Sequence, residues 1–489
     1  MMGTQNHTGH VPSWYTATAA DAWARAPLTA DLDVDVCVIG AGLAGLTTAR
    51  EIARSGWSVA VLEARRIAWN ASGQNCGFVL PGFAASESSI VERVGLAQTK
   101  ELWALSEAGL EYVRSTIGEI GAPEIDPVDG WLSVSKVDDP EGTIGTLQLL
   151  AQDLGAEVEG WPSERVRNVL RTNSYFNALY FPRAFHMHPL NYALGLAALA
   201  ESSGAHIFEN TPALAIDSGG VRKRIDTPQG RLRAAHVVLA GNVHVGALMP
   251  RIAGTLLPIW TYVAVTAPLG LRLAQAITFH GGVSDGERAD NHYRIVGGDR
   301  LLVSGRVTVW EADPRGFAGS LAADLAKLYP QLGEIRLEHR WSAVLGRTIH
   351  GMPQIGELVP GIWLASGFGG HGCNTTAMAG NLIARAVVDG DDRWRLFLPF
   401  ELIWAGGMMG RAAAQISYWW TRRRDAARAQ QVRSRDGKAA AARPSLGARA
   451  KAARTAAPVA PSAPMDAAMK VPEVALPADP DLDAAPPPS

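Results

Sequence analysis

Cysteine is scarce in this sequence: the 489 residues contain only three. Three is an odd number, so at least one cannot pair within the chain. So few cysteines do not make a disulfide framework, and they are typical of a reducing compartment such as the cytoplasm. No run of about 18 uncharged apolar residues occurs, which argues against a membrane-spanning helix. The first twelve residues also lack the basic and then apolar order of a secretory signal. We therefore expect a soluble, cytoplasmic protein.

An excess of one charge is also absent, since 45 basic side chains nearly balance 47 acidic ones. This balance gives no reason to expect a nucleic-acid partner. No histidine and cysteine cluster has the spacing of a metal site, and no Gly-x-Ser-x-Gly sequence marks a hydrolase nucleophile. Hydrophobic residues make up 47% of the chain, enough for a large core, and the length favours two domains.

The strongest motif lies near the N-terminus, where the apolar run 34–39 leads into Gly40-Ala41-Gly42-Leu43-Ala44-Gly45. A helix-forming stretch, a second apolar run at 58–62 and Glu63 follow. This order predicts the strand, glycine turn, helix and strand of a dinucleotide-binding unit. Gly40 permits the tight turn, Gly42 lets a pyrophosphate approach the backbone at the helix N-terminus, and Gly45 lets the helix pack close to the sheet. Glu63 accepts hydrogen bonds from a ribose diol.

Two later segments favour FAD over a nicotinamide cofactor. Small residues at 71–77 allow a second loop to wrap a long, buried cofactor. Much later, Gly367-Phe368-Gly369-Gly370-His371-Gly372 precedes a helix predicted from Thr375 to Val388. A second helix N-terminus near the flavin pyrimidine stabilises the negative charge of reduced flavin, and reduced nicotinamide carries no such charge.

With these segments the chain resembles the D-amino-acid-oxidase-like superfamily of FAD enzymes, and most of all its γ-glutamylputrescine oxidoreductase branch. The resemblance runs from residue 13 to about residue 424. Besides the motifs above, it is carried by Thr227-Pro228-Gln229-Gly230, His188-Pro189-Leu190-Asn191 and Val237-Val238-Leu239-Ala240-Gly241-Asn242. It implies an α/β fold, with a Rossmann-like FAD-binding domain and a second, α+β substrate domain built on a mixed sheet over the flavin.

The expected domains are an N-terminal arm at 1–33, an FAD-binding domain at 34–90, 160–245 and 340–395, a substrate domain at 91–159 and 246–339, a C-terminal helical segment at 396–429 and a disordered tail at 430–489. The arm contains Trp14, Tyr15 and Trp23, which we expect to pack on the body of the protein. The tail is rich in alanine, proline and charge, too poor in large apolar groups to repay the entropy of ordering.

The residues expected to contact FAD are Gly40, Gly42, Leu43, Ala44, Gly45, Glu63, Ala64, Arg65, Ala71, Ser72, Gly73, Gln74, Asn75, Ala213, Ala240, Gly241, Gly367, Gly370 and Gly372. The chain departs from the family pattern close to the flavin. Gln74 stands where relatives have arginine, Cys76 where they have glycine, and Gly369 where they have serine. These departures put the relatives' substrate in doubt for this protein.

The resemblance implies oxidation of the carbon–nitrogen bond of a small amine or amino acid to an imine, by hydride transfer to flavin N5. The substrate is expected to be γ-glutamylputrescine-like or an N-substituted amino acid, and oxygen or an electron carrier takes the electrons. Two alternatives stay open. One is an FAD-dependent hydroxylase that uses NAD(P)H, and the other is a non-catalytic flavin-bearing subunit.

Three residues are candidates for the chemistry. His371, in the late glycine turn, either faces the flavin or the substrate or simply caps the turn, and the two interpretations are equally supported. Tyr293 and Arg294 fall where the family's substrate sheet lies. An arginine there could hold a substrate carboxylate in bidentate fashion, although a water-exposed arginine at the sheet edge is slightly favoured.

Two further histidines and the cysteines have weaker functional interpretations. For His188 and His350 we favour structural roles. Cys37 is expected to be an inert core residue. A thioether from Cys76 or Cys373 to the flavin is a hypothesis, with ordinary packing favoured.

The segment 396–420 is apolar and ends in Trp419 and Trp420, followed by three arginines. It predicts either a weak contact with a membrane surface or a helical cover packed on the body. The cover is favoured, because Glu401 and Arg411 interrupt the apolar run.

Overall fold

The computed structural model describes residues 9–285, 291–421, 423 and 424. Its strands are β1 (Leu32–Ile39), β2 (Val59–Leu62), β3 (Phe78–Val79), β4 (Val128–Val134), β5 (Glu159–Trp161), β6 (Ala178–His186), β7 (His206–Phe208), β8 (Ala215–Asp217), β9 (Lys223–Asp226), β10 (Arg231–Leu239), β11 (Leu257–Thr266), β12 (Gly282–Ser284), β13 (His292–Val296), β14 (Arg300–Thr308), β15 (Leu337–Arg347), β16 (Gln354–Val359) and β17 (Ile362–Ser366). The helices are α1 (Trp14–Ala17), α2 (Leu43–Arg54), α3 (Ala71–Gln74), α4 (Glu87–Ile120), α5 (Pro140–Gln148), α6 (Ser163–Val169), α7 (Pro189–Ser202), α8 (Pro250–Ala253), α9 (Leu271–Ala276), α10 (Arg315–Leu328), α11 (Gly372–Asp389) and α12 (407–421).

The first sheet has the order β16-β17-β10-β1-β2-β7, with β9 on β10 and β8 on β9. Strands β17, β10, β1, β2 and β7 run parallel, whereas β16 and β9 are antiparallel to their neighbours. A central parallel strand is covered on both faces and reads as a continuous apolar run. The run from Val36 to Ile39 in β1 is buried accordingly.

Helices α2, α7 and α11 pack together beside this sheet, and α4 packs on α11. Helix α2 buries nearly its whole length, and the chain leaves it at Gly56, whose φ of +83° suits glycine. The predicted order of strand, glycine turn, helix and strand is therefore present as β1, α2 and β2. The predicted fold class is confirmed.

The second sheet is mixed and has the order β15-β11-β14-β13-β12-β4-β6-β3, with β5 paired to β6. Strands β12 and β4 are parallel to each other, and the other pairs are antiparallel. Helix α10 covers one face through Leu321, Leu325 and Leu328, spaced as one side of a helix. This sheet is the mixed sheet that the resemblance implies.

Several sequence expectations differ from the structure. The two strands expected at 301–305 and 306–310 form one strand, β14, and a register shift beside Tyr262 on β11 accommodates its length. Strands β3 and β6 and most of β15 belong to the second sheet although they fall within ranges expected for the FAD-binding domain. Their long-range pairing leaves no local signal. The domain boundaries themselves stay a prediction.

The N-terminal arm packs on the body only in part. Tyr15 is fully buried and Trp14 is half-buried, but Trp23 is exposed, so the expectation was wrong for Trp23. The segment 430–489, expected to be disordered, lies outside the described residues.

Candidate active site

The first of two neighbouring cavities opens where β1 ends. Gly40 has a φ of +109°, and a Cβ there would lie 3.0 Å from the backbone of Ala240, so the turn requires glycine. Gly42 precedes α2, and a Cβ on it would lie 2.8 Å from Ser72 Oγ. Gly42 is the N-cap residue of α2 and brings no side chain of its own to this helix N-terminus. The bare backbone and the helix dipole together suit a pyrophosphate.

A carboxylate stands beside this turn at the end of β2. Glu63 Oε2 accepts a hydrogen bond from the backbone N–H of Ala41 at 2.8 Å, and Oε1 accepts one from Arg65 at 2.9 Å. Burial raises the pKa of Glu63, and these two hydrogen bonds oppose that effect. Glu63 also lines the cavity, where its remaining lone pairs are available to a ribose diol.

A second loop closes the cavity from the other side. Ser72 Oγ accepts a hydrogen bond from the N–H of Leu43 at 3.0 Å, which joins the loop to α2. The amide of Asn75 donates to the carbonyls of Ala71 and Ser72, and its oxygen accepts from Gly77 at 2.7 Å and from Cys373 Sγ at 3.5 Å. The loop is thereby fixed against the first turn of α11.

This first cavity has a volume of about 380 Å³. The structure brings to it these predicted contact residues: Gly40, Gly42, Leu43, Ala44, Glu63, Ala64, Arg65, Ala71, Ser72, Asn75, Ala213, Ala240, Gly241, Gly370 and Gly372. Residues that were not predicted also line it, among them Asn70 and His244. The Nδ2 atom of Asn70 lies 2.9 Å from Nε2 of His244. Asn70 also accepts from the N–H of Val344, and this long-range pairing left no sequence signal.

Four predicted contact residues do not line the cavity. A Cβ on Gly45 would lie 2.0 Å from the carbonyl of Gly40, so Gly45 serves the close packing of α2 on β1. A Cβ on Gly73 would lie 2.4 Å from the carbonyl of Ala68, which gives Gly73 a similar role. Gln74 is buried beneath the loop, and Gly367 faces Thr348.

The second cavity adjoins the first and has a volume of about 1050 Å³. The residues that line both are Asn75, Cys76, Phe78, Leu345 and Gly370. Aromatic side chains form part of its wall, namely Phe78, Trp131 and Phe181, and the cationic or polar groups include Arg347, His292 and His371. A molecule in the second cavity therefore lies next to a cofactor in the first.

His371 lies at the junction of the two cavities, at the end of the short turn Gly369–His371 that precedes α11. Burial lowers its pKa to about 4, and the positive fields of His292 and Arg347 add to this effect. Its Nδ1 atom is buried without a hydrogen-bond partner among the described residues. The imidazole is thus neutral at neutral pH.

Arg347 ends β15 on the wall of the second cavity. It donates a hydrogen bond of 3.4 Å to the carbonyl of Ala84 and forms no ion pair with a described residue. A cation on a cavity wall without a carboxylate partner is suited to an anionic group of a ligand.

The structure does not bring Tyr293 or Arg294 to either cavity, contrary to the sequence expectation. Tyr293 points into the core under the second sheet and bonds Tyr329 at 2.7 Å. Arg294 is buried and donates hydrogen bonds to His186, Tyr15 and the carbonyl of Met187. The favoured alternative from the sequence, a water-exposed arginine at the sheet edge, was therefore also wrong. His292 is the residue of β13 that lines the second cavity, and the sequence did not indicate it. Tyr293 points to the opposite face of the strand, whereas Arg294 shares the face of His292 but is bonded to His186, Tyr15 and the carbonyl of Met187.

The other two histidines considered from the sequence, His188 and His350, form hydrogen bonds within the protein. His188 caps α7, where Nδ1 accepts from the N–H of Asn191 at 3.1 Å and Nε2 lies 3.1 Å from Thr18 Oγ1. His350 lines the outer part of the second cavity, but its Nδ1 accepts from the N–H of Met352. These contacts agree with the structural roles favoured from the sequence.

The three cysteines are free thiols. Cys37 is buried in β1, and Cys76 and Cys373 both line the first cavity. Burial raises the pKa of Cys76 to about 11 and that of Cys373 to about 12, so both are protonated at neutral pH. A thioether to the flavin stays a prediction.

The C-terminal segment differs from the expected packed cover. It does contain a helix, α12, but most of the large apolar side chains between 402 and 420 are exposed. Among the residues that the structure describes, no helix is both long and apolar enough to cross a bilayer. Within the same residues, no group of three His, Cys, Asp or Glu side chains is placed to hold a metal ion.

A parallel sheet with a glycine turn, a carboxylate after the second strand and a large adjoining cavity define a dinucleotide-dependent oxidoreductase. Residues 35–386 match the model of one family, described as FAD dependent oxidoreductase (DAO). The chain belongs to this family, and its cofactor is FAD. The bare backbone at Gly42, the lone pairs of Glu63 and the uncapped N-terminus of α11 fit the pyrophosphate, ribose and flavin of that group.

Two relatives match over most of their length. The chain is 29% identical over 393 residues to gamma-glutamylputrescine oxidoreductase of Escherichia coli (strain K12), covering 80% of this chain and 92% of that protein. It is 26% identical over 419 residues to probable oxidoreductase OrdL of Haemophilus influenzae, covering 83% of this chain and 95% of the relative.

Solved structures show the same fold. Glycine oxidase from Geobacillus kaustophilus superposes with a TM-score of 0.63 at 23% identity, covering 76% of this chain and 99% of that chain. L-proline dehydrogenase from P. horikoshii gives a TM-score of 0.63 at 18% identity, covering 76% and 98%. At these identities the likeness concerns the fold alone.

Proposed function

We propose that this enzyme oxidises the carbon–nitrogen bond of a small amine or amino acid to an imine. The observation that carries the proposal is the second cavity, which shares Asn75, Cys76 and Gly370 with the FAD cavity. Its wall also carries Arg347, a cation that forms no ion pair with a described residue. A relative named for a glutamylated amine supports the same class of substrate.

FAD supplies the hydride acceptor, at N5 of the flavin. The carbon next to nitrogen gives up its hydride as the nitrogen lone pair forms the C=N bond, and an N–H proton is then lost to water. The chain's own residues position the substrate for this step. Arg347 holds a carboxylate, Phe78 and Trp131 pack on the carbon chain, and neutral His371 hydrogen-bonds the reacting amine in its neutral form.

The cavity volume favours an elongated substrate over a very small one. A space of about 1050 Å³ is far larger than glycine requires. We therefore place a γ-glutamylputrescine-like amine or an N-substituted amino acid ahead of glycine as the substrate.

The test is an anaerobic absorbance titration of the flavin with γ-glutamylated amines, N-methyl amino acids and D-amino acids. Bleaching by one class supports the proposal and identifies the substrate. Bleaching by NADPH alone would instead assign the enzyme to the hydroxylases, and a flavin that no donor reduces would indicate a non-catalytic subunit.

Arg347→Met sharpens the test. Loss of a charged hydrogen bond to a carboxylate raises KM about 10- to 100-fold for substrates with that group, and leaves amines without it unchanged. Arg347→Lys restores part of the affinity. Arg340→Met, at an exposed position of the same strand, is the matched control and leaves KM unchanged. Equal effects of the two methionine variants would remove Arg347 from the site.

A further inference from the structure

Helix α12 turns an apolar face outward. Met409, Ala413, Ile416 and Trp420 follow one another at the i, i+4, i+7 and i+11 positions of one side of the helix, and all are exposed. Met409 is 83% exposed and Trp420 is 70% exposed. A helix on the surface of a soluble domain normally directs such a stripe toward the core. This orientation is therefore the reverse of the usual one.

The opposite side of α12 attaches to the protein through polar groups. Gln415 is buried, and its side-chain oxygen accepts a hydrogen bond of 3.0 Å from the N–H of Val309. Tyr418 lines the second cavity. The outward position of the apolar stripe is thus fixed by contacts on the other side of the same helix.

Neighbouring side chains extend the exposed surface. Trp404 and Met408 before the stripe and Trp419 within it are each more than half exposed. We call these three residues, together with Met409, Ala413, Ile416 and Trp420, the outer face. An exposed apolar patch of this kind marks a contact surface.

The charge next to the outer face identifies its partner. Arg423 and Arg424 are exposed one turn beyond Trp420. In the sequence, residues 422–438 include seven basic and two acidic side chains. Tryptophan occupies the headgroup level of a bilayer, and basic residues there are attracted to anionic lipids. Apolar groups, tryptophans and arginines in this order fit an anionic lipid surface better than they fit a protein.

We propose that the outer face docks on an anionic lipid surface, with α12 lying in the plane of the interface. The helix lies on the bilayer and does not cross it, and Tyr418 places the wall of the second cavity beside the docked helix. The proposal is independent of the reaction, because no residue of the outer face lines either cavity.

The experiment is sedimentation of the full-length holoenzyme with vesicles, followed by flavin absorbance. Vesicles of phosphatidylglycerol and phosphatidylcholine are compared with vesicles of phosphatidylcholine alone, at low and high salt. We expect binding to the anionic vesicles at least tenfold stronger than to the neutral ones, and weaker binding at high salt. Blue-shifted tryptophan fluorescence would accompany it.

Variants distinguish binding through the outer face from non-specific binding through any exposed tryptophan. Trp419→Ser combined with Trp420→Ser should weaken vesicle binding at least tenfold. Arg423→Gln with Arg424→Gln should reduce the preference for anionic lipid and its dependence on salt. Trp23→Ser is the matched control, since Trp23 is 71% exposed on the N-terminal arm, and it should leave binding unchanged.

Three results would overturn the proposal. The first is no binding to anionic vesicles, and the second is equal loss in the Trp23 variant. The third is a dimer, seen by analytical ultracentrifugation, that dissociates on Trp419→Ser and Trp420→Ser without any vesicle binding, which would assign the outer face to a second copy of the chain.

Discussion

The two adjoining cavities differ in which parts of the chain form their walls. The FAD cavity begins at a glycine turn, where Gly40, Gly42 and the start of α2 lie within a few residues of one another. The second cavity is made of side chains from separate strands, such as Trp131 on β4, His292 on β13 and Arg347 on β15. A site made of backbone needs special residues in a fixed local order, whereas a site made of side chains needs only a shared surface.

The largest effect is expected from Gly45→Ala. This change disturbs the FAD cavity indirectly, through the packing of α2 on β1. The added Cβ would lie 2.0 Å from the carbonyl of Gly40, so α2 must move away from β1. Overpacking of this kind costs about 3 kcal/mol or more when the neighbour is backbone. We expect a protein that loses most of its flavin, measured as the absorbance ratio of flavin to protein, together with a lower Tm.

Gly118→Ala is the control for that variant. It places the same methyl group in α4, where nothing lies within 4 Å, and alanine is the better helix former by about 1 kcal/mol. Full flavin content and an unchanged or higher Tm are expected. Normal flavin binding by the Gly45 variant would show that close packing of α2 is not what positions the cofactor.

Arg294→Met is expected to have the next largest effect, on stability and not on substrate binding. The change leaves His186, Tyr15 and the carbonyl of Met187 without their donor, at a cost of about 2 kcal/mol. A lower Tm with an unchanged KM is the expected result. Arg340→Met, an exposed position, serves as control. A raised KM for carboxylate substrates at unchanged Tm would return Arg294 to the role that the sequence indicated.

The local order of the first cavity explains why the sequence predicted it. The turn from Gly40 to Gly45 and the carboxylate of Glu63 lie within one strand, helix and strand, and each has a physical reason for its residue type. Sequence reasoning gave Gly45 the packing of the helix on the sheet, but it did not separate Gly73, which packs against the carbonyl of Ala68, from glycines that face the cofactor, such as Gly42.

The second cavity gave no comparable signal. The sequence located the correct segment in β13 but indicated Tyr293 and Arg294, whereas His292 lines the cavity. Alternation along the strand turns Tyr293 to the other face, and hydrogen bonds to groups distant in sequence (His186, Tyr15 and Met187) hold Arg294. Arg347 is distant in sequence from these residues. Its place on the cavity wall depends on the pairing of β15 with β11 in the second sheet, which the sequence did not predict. The sequence favoured a packed cover over a surface contact for the segment that contains α12, and the structure leaves its apolar face exposed. Apolar periodicity shows that a helix has a face, and not what covers it.

The smallest effect is expected from His371→Asn. The pKa of His371 is lowered to about 4, so the histidine is neutral across the range from pH 5 to pH 9 and contributes no step to the pH profile there. The rate of flavin reduction should rise with pH as the substrate ammonium, with a pKa of about 10 if it resembles lysine, loses its proton. The variant keeps this profile and lowers the rate about tenfold, the equivalent of one weakened hydrogen bond of about 1.4 kcal/mol. Stopped-flow reduction without oxygen measures both quantities. An inflection near pH 6.5 that disappears in the variant would mean that His371 titrates as an exposed imidazole, and that the junction of the two cavities is wetter than its burial indicates.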